Sequence, residues 1–255
     1  MTENPVASSE SNDRKEIYII AVVGVVFLAC VCCLISIAGY FLYKDIAPSL
    51  GSPQSTRTAT VEPSSSAMGK ESFTDSFNSN RSGWSEGSFE DEYGTIDYVV
   101  DGTYTWDVVA AQGVNQKSWA KSAPIVYDFT ASSDVTHVSG AENASYGMIF
   151  RVVDDQNLYY FCISDVGYYY VGLLSEGTWT TLIDWKETDV INVNSSNTLK
   201  VVGKGDQFTF FINDHEVEAI HEGTLPSGTA GLAIELYDAG DVSTFEFDNF
   251  SLESP

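Results

Sequence analysis

The chain has 255 residues and a formal net charge of −24, with 36 acidic residues against 12 basic ones. From Phe73 onward the imbalance is steeper, at 29 acidic residues against seven basic ones. A field of this sign repels nucleic acids and anionic headgroups, so we expect no nucleic-acid partner. It favours cations and leaves neutral ligands unaffected, although a plain gain in solubility would also explain it.

The beginning of the chain has the composition of a membrane anchor. Residues 17–43 form an uncharged run of 27 residues. About 20 apolar residues suffice to cross the hydrocarbon, and the apolar core of a cleaved signal peptide has only about 7–15. Tyr18, Tyr40 and Tyr43 stand near its ends, where amphipathic rings favour the membrane interface. We therefore predict one transmembrane helix over residues 17–43, behind a short polar tail, residues 1–16.

The orientation of this helix follows from its flanks. Arg14 and Lys15 precede the run and Lys44 follows it, which gives a slight excess of positive charge on the N-terminal side. Positive charge favours the cytoplasmic side, and the folded part of the chain lies beyond the helix. We expect a single-pass cell-membrane protein with a cytoplasmic N-terminus and an extracellular domain.

A spacer is expected between the helix and the domain, over residues 44–72. Within it, residues 48–70 contain 12 Ser, Thr or Pro residues out of 23. Such a segment has too little apolar surface to offset the entropy of ordering it. We predict an extended linker that holds the domain away from the membrane.

From Phe73 to the C-terminus, apolar residues recur with period two and turn signals recur at intervals of about 8–12 residues. This pattern predicts short antiparallel strands with almost no helix. The clearest predicted strands are residues 145–153, 158–164, 168–174, 178–184, 199–203, 207–212, 216–219, 230–237 and 243–252.

Two irregularities are expected in this pattern. Asn213-Asp214 can adopt the positive φ angles of a tight turn between two strands. In the last strand, Phe245 and Phe247 share one parity whereas Phe250 and Leu252 have the other. A bulge near Asp248-Asn249 would direct all four side chains into one core.

These segments resemble a known superfamily. The run YGMIFRVVDDQNLYYFCISDVGYYYVGLLSEGTWTTLIDW, then NTLKVVGKGDQFTFFINDHEV, SGTAGLAIELYD and the closing FEFDNFSL are similar to concanavalin A-like lectins and glucanases. The similarity is strongest to jelly-roll domains of the LamG and 3-keto-disaccharide-hydrolase types, and covers residues 73–255. It implies an all-β sandwich of two antiparallel sheets, one of them concave. In many relatives the concave face meets a sugar.

Catalysis is not expected. Glycosidases of this fold use two carboxylates, and one branch presents them as E-x-D-x-x-E on a single strand. The nearest stretch is Glu246 to Ser251, in which Ser251 replaces the last carboxylate. His137 is isolated in the sequence, and His215 and His221 fall in or beside a hairpin and are expected at the surface. A divergent glycoside hydrolase remains the less favoured alternative.

Alternation suggests one ligand-binding set: Arg151, Tyr160, Tyr168 and Tyr170 would line one sheet face. Protein–sugar sites pair aromatic rings with polar side chains because sugars have apolar faces and polar rims. In the alternative arrangement, Arg151 pairs with a carboxylate and the tyrosines pack beneath a loop. The five tryptophans are scattered and are expected in the core or at its rim: Trp84, Trp106, Trp119, Trp179 and Trp185.

A structural calcium ion is a further expectation from the resemblance. Jelly-roll modules often hold one where the first and last strands meet, and here Asp75 and Asp248 would come close. Calcium requires several oxygen ligands, so two aspartates alone do not make a site. We expect no other cofactor.

The sequence thus predicts a membrane-anchored, surface-displayed domain that binds carbohydrate without catalysis. A structural or protein-interaction ectodomain, such as part of a sensor, is the main alternative. Neither the ligand nor the oligomeric state follows from the sequence.

Overall fold

The computed structural model describes residues 71–255. These residues form fifteen β-strands and no helix. The strands are β1 (Ser72–Asp75), β2 (Gly87–Asp91), β3 (Gly94–Val100), β4 (Tyr104–Ala110), β5 (Val114–Ser118), β6 (Phe129–Ser139), β7 (Ser145–Asp154), β8 (Asn157–Ser164), β9 (Tyr168–Ser175), β10 (Thr178–Glu187), β11 (Asn197–Lys204), β12 (Gln207–Ile212), β13 (His215–His221), β14 (Thr229–Leu236) and β15 (Val242–Glu253).

The strands build two antiparallel sheets. A nine-stranded sheet has the order β13-β12-β11-β6-β15-β4-β3-β2, with β1 pairing to the end of β15. A six-stranded sheet has the order β10-β9-β8-β7-β14-β5. The all-β sandwich implied by the resemblance is confirmed, and the strands predicted from the alternation correspond to β7–β15 with small shifts at their ends.

Both predicted irregularities are present. Asn213 and Asp214 have φ angles of 51° and 62° in the turn between β12 and β13. In β15 the register with β6 shifts between Asp248 and Ser251, and Asn249 has a φ of 51°. The bulge reverses the side-chain parity, which places four apolar side chains in the core: Phe245, Phe247, Phe250 and Leu252.

Aromatic side chains join the two sheets across the interior. The Phe161 ring from β8 lies 5.0 Å from the Phe210 ring of β12, and the Phe150 ring from β7 lies 5.1 Å from the Phe208 ring. Each fully buried ring of this kind contributes roughly 1.5–3 kcal/mol through removal of apolar area from water. These contacts hold the sheets face to face as a sandwich.

The six-stranded sheet is also apolar on its other side, which we call the outer face because it points away from the nine-stranded sheet. A second buried cluster lies there, made of Ile149, Val152, Leu158, Tyr160, Cys162, Leu174 and Ala233. The central strands are therefore buried on both faces, which explains their nearly continuous apolar sequence.

The predicted membrane anchor lies outside this description. The tail, the predicted helix over residues 17–43 and the linker as far as residue 70 precede the described residues. Within residues 71–255, no helix has the length and apolar character needed to cross a membrane. The first strand begins at Ser72, one residue before the domain start expected at Phe73.

Candidate functional site

The register of the six-stranded sheet brings two tyrosines to the outer face. Tyr160 of β8 lies opposite Gly172 of β9, and Tyr170 lies opposite Cys162. Side chains two residues apart on a strand point to the same side, so Tyr160 and Tyr170 share a face with the second apolar cluster. Tyr168, two residues before Tyr170, has the same parity and is half-buried.

Two tryptophans from the edge strand β10 extend this group. The Trp179 ring lies 6.4 Å from the Tyr160 ring, and the Trp185 ring lies 5.3 Å from the Tyr170 ring. Both indoles are on the surface, with 42% and 40% of their area exposed. Tyr160, Tyr170, Trp179 and Trp185 together are called the aromatic edge below.

A glycine sets the position of the Tyr170 ring. A Cβ atom on Gly172 would lie 2.8 Å from the ring and hydroxyl of Tyr170, so the ring lies directly over this glycine. The Tyr170 hydroxyl is 3.3 Å from Oγ1 of Thr181 on β10. Burial raises the pKa of Tyr170, which keeps this hydroxyl neutral and able to donate.

The middle of the outer face is made of small buried residues. Cys162 pairs with Gly147, and Gly147 pairs with Ala233 in the next strand. Burial raises the pKa of the Cys162 thiol, so it stays protonated and packs as a small apolar group. This thiol is therefore unsuited to nucleophilic chemistry.

A hydrogen-bonded polar group occupies the other side of the outer face. Oγ of Ser145 lies 3.3 Å from the Tyr160 hydroxyl and 3.1 Å from the Tyr237 hydroxyl. The Tyr237 hydroxyl donates to Oε2 of Glu235 at 3.2 Å. Burial raises the pKa of Glu235, and the Tyr237 hydrogen bond and the charge of Lys117 oppose this shift only in part. Hydroxyl and carboxylate groups thus face the same surface as the aromatic edge.

Arg151 does not belong to this face, and the prediction that it would join the tyrosines is wrong. The register of β7 with β8 shifts after Phe150, and Arg151 has a φ of 50°, so the local bulge reverses its direction. Its guanidinium donates at 2.8 Å to the carbonyls of three loops, at Leu225, Tyr127 and Gly205.

The Arg151 side chain is buried and lies over the rings of Phe129 and Phe208, which belong to the core between the sheets. The structure does not show the alternative, a carboxylate partner for Arg151, either. The hydrogen-bond acceptors of its guanidinium are backbone carbonyls. Arg151 is thus a structural cation at one end of the sandwich. Ligand binding by Tyr160, Tyr168 and Tyr170 stays a prediction.

The two aspartates proposed for calcium lie near the β1–β15 pair, where Asp75 is opposite Phe250. Oδ1 of Asp75 accepts from the backbone N–H of Phe77 at 2.8 Å, and Oδ2 accepts from the Trp84 indole at 3.0 Å. Oδ1 of Asp248 accepts from the N–H of Asn249 at 2.7 Å.

Three of these four carboxylate oxygens thus already have protein donors. Across residues 71–255, no group of three or more His, Cys, Asp or Glu side chains could hold a metal ion. The calcium site therefore stays a prediction, resting on these two aspartates alone.

The histidines divide into two kinds. His215 and His221 are exposed, as expected. His137 is not isolated: it is buried, its Nδ1 bonds to Oδ2 of Asp165, and its ring stacks on Phe245 with centroids 4.8 Å apart. This contact could not be predicted from the sequence, because Asp165 lies in the turn between β8 and β9, on the other sheet.

The tryptophans also divide. Trp84 and Trp106 are buried in the core as expected, and Trp119 packs against the cluster of the outer face. Trp179 and Trp185 were not predicted as surface groups of one site. Both have the same parity as Ile183, which is buried in the core between the sheets. Two register shifts within β10 turn Ile183 away from the two indoles, so alternation alone could not show that the indoles lie on the outer face.

No family model matches the sequence, and no curated protein matches it. Among solved structures, the fold is similar to carbohydrate-binding module CBM66 from Bacillus subtilis, with 22% identity over 68% of this chain and 96% of that one (TM-score 0.52). Less similar are a GlcNAcα1-4Gal-releasing endo-β-galactosidase from Clostridium perfringens (10% identity, 74% and 64% covered, TM-score 0.49) and a galectin-like protein of unknown function from Bacillus subtilis (10%, 71% and 94%, TM-score 0.47). The first similarity establishes the jelly-roll fold that the resemblance implied.

Proposed function

We propose that residues 71–255 are a non-catalytic glycan-binding domain, and that the aromatic edge of the outer face is its binding surface. The observation that carries this proposal is the pair of half-exposed indoles, Trp179 and Trp185, each packed on a tyrosine of the same sheet face. Large exposed apolar rings that cluster on a surface indicate a binding site.

The chemistry of the aromatic edge suits sugar rings. Trp179 pairs in register with Leu174, and Trp185 lies at Tyr170, four residues back along β9. At about 3.3 Å per residue this separates the backbone positions of the two tryptophans by roughly 13 Å along the strand, more than the width of one sugar ring. The apolar face of a sugar stacks on such rings while its hydroxyls reach polar groups. Thr181 and the Tyr170 hydroxyl supply polar groups between the two indoles.

The absence of catalysis is part of the proposal. A glycosidase needs two carboxyl groups on either side of the scissile bond. Glu246 and Asp248, from the nearest sequence match to a glycosidase motif, lie on β15 in the other sheet, and their side chains alternate with the buried Phe245 and Phe247. They therefore face away from the core on the nine-stranded side, distant from the aromatic edge.

Membrane display is proposed on the sequence alone. The uncharged run over residues 17–43 would anchor the domain, and the linker over residues 44–72 would hold it on the extracellular side. A domain that binds glycans in this position would attach the cell to carbohydrate in its surroundings or to its own wall.

The test is a glycan array probed with the full-length chain in a polyoxyethylene detergent, which carries no sugar to compete. We expect saturable binding to at least one glycan, and a loss of at least about tenfold in affinity for Trp179→Ala and for Trp185→Ala. The matched control is Tyr127→Ala, an exposed aromatic residue before β6 whose backbone carbonyl remains for Arg151.

Two results would count against the proposal. One is an array with no glycan bound above background by the folded wild-type chain, which would favour the protein-interaction alternative. The other is binding that Tyr127→Ala weakens as much as the tryptophan substitutions do. Sugar release from a bound polysaccharide would overturn the non-catalytic part alone.

A further inference from the structure

A cleft opens at the opposite edge of the six-stranded sheet from the aromatic edge. It has a volume of about 560 Å³ and lies between strand β5, the end of β14 and the β2–β3 hairpin. Its lining includes Asp91 and Tyr93 of the hairpin, Asn115 of β5, and Glu235 and Tyr237. A neighbouring cavity of about 350 Å³ shares Asp91 and adds Glu90 and Lys117. We call the two together the acidic cleft.

The walls of the acidic cleft are aromatic. Tyr93 and Tyr237 both line it, with 45% and 42% of their area exposed. The face of an aromatic ring attracts a cation within about 6 Å, and more strongly where the cation is partly desolvated. Exposed tyrosines that face one cavity with carboxylates are suited to an organic cation.

Each carboxylate of the larger cavity is fixed and still has a free oxygen. Oδ1 of Asp91 accepts from the backbone N–H of Tyr93 at 2.8 Å, and Oε2 of Glu235 accepts from the Tyr237 hydroxyl at 3.2 Å. The second oxygen of each group makes no hydrogen bond with the described residues. Both carboxylates are therefore held in place and able to accept a bond from a ligand.

The charges of the acidic cleft do not balance. Glu90, Asp91 and Glu235 face one base, Lys117, whose amine donates to Oδ1 of Asn115 at 3.2 Å. Burial raises the pKa of Glu235 despite that lysine, so its carboxylate lacks full compensation. A further positive charge here would be favourable, and the acidic surface of the whole domain would concentrate cations near it.

We propose that the acidic cleft binds the protonated amino group of a glycan that carries free amines, which names the ligand class of the domain and rests on the proposed glycan binding. Tyr93 and Tyr237 enclose the ammonium group, and Asp91 and Glu235 accept its hydrogen bonds. A bare metal ion fits less well, because residues 71–255 provide no cluster of three or more metal-binding His, Cys, Asp or Glu side chains. Glycans with carboxylate or sulfate groups are repelled.

The experiment is a titration calorimetry comparison of two oligosaccharides that differ only in charge. The full-length chain, in the same detergent, is titrated at slightly acidic pH with a glucosamine oligomer and with its N-acetylated form. We expect the amine form to bind about tenfold more tightly, which corresponds to about 1.4 kcal/mol. Because this preference is electrostatic, it should fall towards unity in high salt.

Isosteric substitutions assign the preference to the cleft. Asp91→Asn combined with Glu235→Gln keeps both acceptor oxygens and removes both charges, so the preference should fall to about threefold or less. The affinity for the amine form should fall more than the affinity for the acetylated oligomer, because only the amine form carries a charge. The control removes the same charge elsewhere, with Asp101→Asn and Glu216→Gln on exposed positions outside the cleft.

Each outcome bears on a different claim. Equal affinity of the wild-type chain for the two oligomers overturns the amine preference and leaves glycan binding intact. If the control pair of substitutions reduces the preference as much as the cleft pair does, the preference comes from the negative field of the whole domain and not from the cleft. That result also overturns the inference. If the chain binds no glycan of any kind, the proposed function fails and this inference fails with it. The salt dependence is measured on the wild-type chain, so the inference can be refuted even if a variant misfolds.

Discussion

The Trp185 indole lies against the Tyr170 ring, with centroids 5.3 Å apart and ring planes inclined at 33°. One partner comes from the edge strand β10 and is half exposed, and the other lies over Gly172 on β9. The contact fixes an otherwise mobile surface side chain in one position. A preorganised ring loses less conformational entropy when a ligand binds to it.

The exposure of the two edge tryptophans predicts a fluorescence result. Trp84 and Trp106 are buried and Trp119 is partly buried, so Trp179 and Trp185 should account for most of the emission that acrylamide quenches in the full-length chain. Trp179→Phe with Trp185→Phe should remove most of the quenchable fraction, and a bound glycan should protect it in the wild-type chain. Quenching that persists unchanged in the double variant would contradict the exposure described for these rings.

A pair of glycine substitutions separates positioning from folding. Alanine at Gly172 would contact only the outer atoms of the Tyr170 ring, which can rotate away. We expect Gly172→Ala to cost little stability, at most about 1 kcal/mol, and to weaken glycan binding several-fold by displacing Tyr170.

Gly147 is the matched case for the opposite outcome. Its Cβ would lie 2.2 Å from the backbone carbonyl of Phe161, which cannot move without disturbing the β7–β8 ladder. Gly147→Ala should therefore lower the free energy of unfolding by about 2 kcal/mol or more. Similar losses of stability for both variants, in denaturant titrations, would refute this difference.

The sequence predicted the strands well because alternation is a local property. The bulge at Asn249 could be read from the parity change between Phe247 and Phe250, since only a reversal allows both rings to be buried. The bulge at Arg151 could not be predicted in this way. Arg151 is polar, so its place in the alternation does not reveal on which side of the sheet its side chain is buried.

The candidate site was harder to predict because it depends on pairing between strands. Tyr160 and Tyr170 could be assigned to one face, since each lies in a regular strand. Trp179 and Trp185 have the same parity as the buried Ile183, and the register shifts that turn Ile183 to the opposite face are not encoded in the side-chain period. The acidic cleft joins the β2–β3 hairpin to β5 and β14, and no spacing within the sequence brings Asp91 near Glu235.

Arg151 should be essential for stability. Its guanidinium satisfies the carbonyls of Leu225, Tyr127 and Gly205, which belong to three separate loops. Arg151→Met removes these bonds and leaves three acceptors without this donor, so we expect a loss of about 3 kcal/mol. At about 2–4 °C per kcal/mol this lowers Tm by roughly 6–12 °C. Lys204→Met, at an exposed position on β11, should change Tm by no more than about 2 °C.

Asp165 predicts a pH dependence of stability. Its Oδ1 accepts from the Tyr146 hydroxyl at 2.6 Å and its Oδ2 bonds to His137, so it joins β6 of one sheet to β7 of the other. Burial alone would raise the pKa of Asp165, but the hydrogen bonds from His137 and Tyr146, together with the charge of His137, outweigh burial and lower it.

Because the pKa of Asp165 is lower in the folded state than in the unfolded chain, the ionised form stabilises the fold. This stabilisation is present above the ordinary aspartate pKa of about 3.9 and is lost as the pH falls through the lower, folded value. At neutral pH, Asp165→Asn should therefore lower the free energy of unfolding by about 1–3 kcal/mol, measured by denaturant titration. The difference should shrink as the pH falls below about 4. The control is Asp189→Asn, at an exposed position in the loop after β10, whose free energy of unfolding relative to wild type should not change with pH in this way. If wild type remains more stable than Asp165→Asn by the same amount at the lowest pH, the stabilising role of the ionised carboxylate is contradicted.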